Sequence, residues 1–143
     1  MNARCAFLLA GLLFAGAASA GDAAHVAASR GWIRVMPGAL PAGGYVVLEN
    51  HGDRAVSLSA ASSPAYAEVM LHKSSPATGM GRMEKVDALS IPAHGKAALS
   101  PGGYHLMCDS PKMKLGAKVP VLLHLSDGST VAVGFQVRNA AGK

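Results

Sequence analysis

Residues 55–61 alternate, with Val56, Leu58 and Ala60 on one side and Ser57, Ser59 and Ala61 on the other. A period of two sends successive side chains to opposite faces, which predicts a half-buried β-strand, and Pro64 ends it. The same alternation, or a short apolar run bounded by turn residues, predicts strands at 32–35, 43–49, 67–73, 82–86, 104–108, 119–125 and 131–137. Residues 89–91 and 97–99 flank the turn Pro92-Ala93-His94-Gly95. Residues 23–29 read as a small-residue lead-in to the first strand. Two Pro and a Gly make 36–41 a loop, and Asn50-His51-Gly52-Asp53 is a turn by composition. Residues 74–81 form a turn-rich connection and 109–117 a Lys-rich loop. Ser126-Asp127-Gly128-Ser129-Thr130 is a hairpin signal. Apolar residues nowhere recur at helical spacing for three turns. The expectation is an all-β fold, an antiparallel sandwich or small barrel of about eight or nine short strands.

The first twenty residues lie outside that pattern. Arg4 gives a positive start, 6–18 is apolar, and Ala18-Ser19-Ala20 is a small-residue cleavage motif. This predicts a secretory signal peptide over 1–20, cleaved after Ala20, and a single domain over 21–143 in the periplasm. Cys5 precedes the apolar run, the wrong side for a lipoprotein. Cleavage removes Arg4 and lowers the formal charge from +5 to +4. The remaining basic residues are scattered apart from Lys112, Lys114 and Lys118, and no aromatic residues interleave with these three. That argues against nucleic acid and for a solvated loop that could steer the protein toward an acidic partner. No later segment is long and apolar enough for a bilayer, so no membrane insertion is expected after cleavage. Cys108 is then the lone cysteine and no intramolecular disulfide is possible. The chain is expected to be a monomer.

Chemistry enters with His72, Met83, His105 and Met107. Two imidazoles and two thioethers suit soft, monovalent copper, whereas thioether sulfur is a poor ligand for zinc, magnesium or calcium. His105-Leu106-Met107 places two donors on one face of one strand. Neighbouring strands lie ~5 Å apart, so donors on three of them can converge at one rim. Ten residues separate His72 from Met83, twenty-one separate Met83 from His105, and one separates His105 from Met107.

This order and spacing resemble the signature of the PCu(A)C-type periplasmic copper chaperones. The segments Trp32-Ile33-Arg34 with Pro37, Gly43-Gly44-Tyr45 leading into Leu48-Glu49-Asn50, Ile91-Pro92-Ala93, and Pro101-Gly102-Gly103-Tyr104 are similar to that family too. The resemblance runs from about residue 32 to 138. It implies a cupredoxin-like β fold and one Cu(I) per chain held by His72, Met83, His105 and Met107. It further implies delivery of copper to an acceptor protein in the cell envelope, such as the copper centre of a cytochrome c oxidase subunit, or to another assembly chaperone. Two departures stand out: Lys73 follows His72 where the family often has Met, and the C-terminus 139–143 lacks the His- and Met-rich tail of some relatives.

Singly, each residue has a plainer reading. A lone Met is usually core filler, and for Met70, which shares the face of His72, packing is favoured. Met80 and Met113, and less strongly Met36, sit in loops and could line an approach for copper. Cys108 directly follows Met107, so it should face the opposite way, as a buried core thiol. His51, His94 and His124 have no partner in view, and His25 would chelate Cu(II) strongly only as the third residue after cleavage, whereas cleavage after Ala20 makes it the fifth. With no general base and no nucleophile triad, the chain reads as a carrier rather than an enzyme. A copper-storage protein, a blue-copper electron carrier and a non-metal scaffold are the rivals.

Overall fold

The computed structural model describes residues 21–38, 40–75, 82–109 and 111–143. The expected signal peptide, Cys5 and Met80 lie outside the described residues. A 3-10 turn at Asp22–His25 precedes ten strands. These are β1 (Val26–Arg34), β2 (Ala42–Asn50), β3 (Val56–Ser62), β4 (Glu68–Ser75), β5 (Arg82–Lys85), β6 (Leu89–Ile91), β7 (Lys96–Leu99), β8 (Tyr104–Asp109), β9 (Lys118–Leu125) and β10 (Thr130–Arg138).

They hydrogen-bond in the order β5-β4-β8-β2-β1-β10-β9-β3-β6, with β7 pairing β2 beside β8. Among the described residues only the β1–β10 pair is parallel. The fold is the expected all-β, cupredoxin-like one, with ten strands in place of eight or nine. The flanks of the Pro92–Gly95 turn are both strands, β6 and β7, and β1 is longer at its front: residues 26–29, read from sequence as a lead-in, pair with Val47–Asn50 as its first half. A β-bulge between Ser29 and Trp32 hides this half. Arg30 sits at φ 56 and breaks the alternation there, so the two halves of one strand do not share a period.

The core is the set of inward positions of this alternation. Ile33, Leu48, Leu58, Ile91, Leu106, Leu123 and Phe135 are fully buried. Near the future site, Leu71 of β4 and Leu106 and Cys108 of β8 point into it. Period two then fixes the other face: Met70, His72 and Ser74 of β4, and His105 and Met107 of β8, all turn away from the core.

Candidate metal centre

Strands β4 and β8 are antiparallel, and their register sets His72 directly opposite His105 and Met70 opposite Met107. The two imidazole rings lie 6.0 Å apart, centre to centre, at an edge-on angle of 68°. On the outer side, β5 pairs with β4 and brings Met83 opposite Ser74, one step of the same face along from His72. On the inner side, Gly43 of β2 stands opposite Met107, and Arg34 of β1 stands opposite Gly43. Gly43 therefore leaves a gap in the row of side chains between Arg34 and Met107.

A cavity of about 150 Å³ opens at that gap. Met83, His105 and Met107 line it, along with Ser74, Tyr45 and Arg34. His72 stands beside it, against His105. A Cβ on Gly43 would meet the Tyr45 hydroxyl oxygen at 2.5 Å, so the glycine is what lets Tyr45 lean along its strand into this space. Tyr45 in turn stacks on Trp32 with ring centres 4.7 Å apart and carries the Arg34 guanidinium 5.6 Å above its ring. The four candidate ligands thus come from three adjacent strands and one face, as the spacing predicts.

The imidazoles are prepared as donors. Gly103 carbonyl oxygen accepts a hydrogen bond from His105 Nδ1 at 3.0 Å, which fixes the tautomer and leaves the Nε2 lone pair free. His105 Nε2 is buried and has no hydrogen-bond partner, and the same holds for His72 Nδ1. Buried polar nitrogens without partners are rare and costly, and a soft metal ion is a group that would satisfy both. Burial, then the neighbouring His105 and Lys85, lower the His72 pKa against an opposing pull from Asp109. The ring is therefore neutral near pH 7, the form that binds metal.

Charge and softness narrow the ion. Arg34 is the charged side chain among the cavity walls, and it is cationic. Among the described residues, no three His, Cys, Asp or Glu side chains converge closely enough to hold a metal. Beside the imidazole, the cavity walls supply thioether sulfur from Met83 and Met107, a donor type that favours Cu(I) over harder dications. Met83 is 59% exposed on the edge strand β5, an unusual place for a methionine that only packs.

Other candidates are placed elsewhere. Cys108 is buried on the core side of β8, facing away from His105 and Met107 as expected, and burial pushes its thiol up to about 12. Met113 packs against the core, its sulfur accepting a 3.4 Å hydrogen bond from the Tyr66 hydroxyl, so it does not line an approach. Met36, the weaker candidate by sequence, does line the cavity. Three histidines that had no partner in view have one: His94 meets Asp53 at 2.7 Å, His51 meets Glu49 at 3.6 Å, and His124 meets Ser62 at 2.8 Å. Sequence reading missed Arg34 and Tyr45 as cavity walls. The available signal was the period of two through Trp32, Arg34 and Met36, opposite the core residue Ile33.

Comparison with known proteins agrees with the fold. The family model described as "LpqE-like: Putative lipoprotein LpqE-like" matches residues 26–137. A protein of Leifsonia xyli subsp. xyli, "Putative lipoprotein Lxx21020", is 30% identical over 120 residues, covering 82% of this chain and 72% of its own. Among solved structures, the copper-bound PCuAC domain from PmoF2 superposes with a TM-score of 0.67 at 22% identity, over 80% of this chain and 93% of its own. The Cu(I) form of DR1885 from Deinococcus radiodurans gives 0.61 at 29% identity, over 79% of this chain and 76% of its own.

Proposed function

This chain belongs to the LpqE-like family and shares the fold of PCu(A)C-type copper domains, and on that premise we propose that it carries one Cu(I) per chain and hands it to an acceptor protein. His72, Met83, His105 and Met107 are the ligands. The observation that carries this reading is the pair of unpartnered, buried imidazole nitrogens on one sheet face with two thioethers beside them. Two copper-loaded relatives of the same fold support it.

The mechanism is ligand exchange. The four donors are uncharged and the nearest cavity charge is the Arg34 cation, so the site favours the ion of lower charge. Exposure of Met83 at the sheet edge lets an acceptor's ligand enter and displace it, and the remaining donors then release the ion in turn. No proton transfer or covalent step is involved, which makes the protein a carrier rather than an enzyme. A blue-copper site would need the Cys108 thiolate, and that thiol lies on the other face of β8. The acceptor is an envelope protein, with the copper centre of cytochrome c oxidase the first to test. The lipoprotein names of the relatives and the signal-like residues 1–20 support a place in the periplasm. No helix among the described residues is long and apolar enough to cross a membrane.

Anaerobic Cu(I) titration against a competing chelator tests the reading. Wild type binds one ion. His105→Ala and Met83→Ala each weaken binding by roughly 100-fold or more, beyond the effect of residues that only orient a ligand. Unchanged affinity in both variants would refute the assignment.

A further inference from the structure

Met36 is the cavity's third thioether, and the four-ligand arrangement leaves it unused. It stands half-buried on the loop joining β1 to β2. Methionine normally owes its position to apolar packing, and Met113 is packed against the core in that way, whereas Met36 is not. It instead lines the same cavity as His105, Met83 and Met107. The strand order puts β5, with Met83, on one side of β8, and β2 and β1, with the Met36 loop, on the other. The two outer methionines therefore flank the two donors of β8.

We infer that Met36 is an exchange ligand, through which Cu(I) passes as it enters and leaves the four-donor site. This rests on the Cu(I) reading above. Copper remains cuprous throughout, and no electron or proton moves. A lone pair of Met36 Sδ forms a bond to copper as the bond to the exposed Met83 breaks, so the ion keeps its coordination number while an acceptor ligand approaches. Met36 acts in transit only, so it alters rates and leaves the resting affinity almost untouched. A leucine at 36 keeps the volume and removes the donor.

Stopped-flow transfer of Cu(I) from the loaded mature protein to bicinchoninate, under nitrogen, reads the effect directly. Met36→Leu is expected to bind one ion with affinity within about threefold of wild type, a shift small on the scale of a lost ligand. Its transfer should be slower by roughly tenfold. Met113→Leu, a thioether lost from the core side, should transfer at the wild-type rate. In wild type labelled with methyl-¹³C methionine, the Met36 methyl signal should broaden as chelator is added. A wild-type transfer rate in Met36→Leu, or an unmoved Met36 methyl signal, would overturn the inference. An affinity loss as large as that of Met83→Ala would overturn it too, since Met36 would then be a resident ligand. Failure of wild type to take up Cu(I) at all would instead remove the copper reading itself.

Discussion

At the scale of single residues, side-chain direction decides which soft donor can meet copper. Cys108 is chemically the strongest Cu(I) ligand among the described residues, yet it is one residue from Met107 and so faces the core. Burial holds its thiol near 12, with hydrogen bonding to Tyr66 offsetting only part of the shift. The thiol is therefore both shielded and protonated at neutral pH. A thiol reagent such as DTNB at pH 8 should leave Cys108 unmodified in the folded protein and label it fully in guanidinium; rapid labelling of the native state would contradict its placement. Much of this was legible from sequence, because period two in a strand assigns faces without coordinates. His105, Met107 and Cys108 fall where alternation puts them. What alternation does not report is who sits across the sheet. The opposition of His72 to His105 depends on register, and so does the gap at Gly43 between Arg34 and Met107.

At the scale of elements, the hairpin between β9 and β10 holds down the 3-10 turn at Asp22–His25. Asp127 accepts a 2.8 Å hydrogen bond from the backbone N–H of Asp22, and others from the backbone and hydroxyl of Ser129. These bonds, that from Asp22 first, lower the Asp127 pKa from 3.8 to about 2. The folded state thus favours the charged carboxylate. The resulting stability is present above the ordinary value and is lost as pH falls from 3.8 through about 2. Asp127→Asn should lower Tm near neutral pH and show a shallower decline of Tm between pH 4 and 2 than wild type. Parallel Tm curves for the two proteins would show that the hydrogen bonds seen here add nothing. The sequence marks this turn by Asp127-Gly128, with Gly128 at φ +88, but gives no hint that its aspartate reaches residue 22. Long-range side-chain-to-backbone bonds leave no periodic trace. The bulge at Arg30 shows the same limit, since one left-handed residue conceals half of β1.

At the scale of the whole molecule, the sheet presents a cavity lined by Met83, His105 and Met107, on a chain of net positive charge. That combination suits encounter with an acidic acceptor followed by local exchange. Transfer of Cu(I) to the apo copper-centre domain of cytochrome c oxidase should therefore proceed on mixing and slow as ionic strength rises. An absence of transfer to envelope acceptors would favour storage over delivery. The chain's resemblance to copper chaperones was readable from four residues and their spacing. The cavity proposed for exchange was not, because Gly43, Tyr45 and Arg34, which help to bound it, carry no metal-binding chemistry of their own.

Copper K-edge X-ray absorption on protein loaded anaerobically with one equivalent of Cu(I) tests the central claim most directly. The account predicts a shell of two nitrogen and two sulfur neighbours, with one sulfur lost in Met83→Ala. A shell of oxygen and nitrogen alone, or a sulfur count untouched by that substitution, would contradict it.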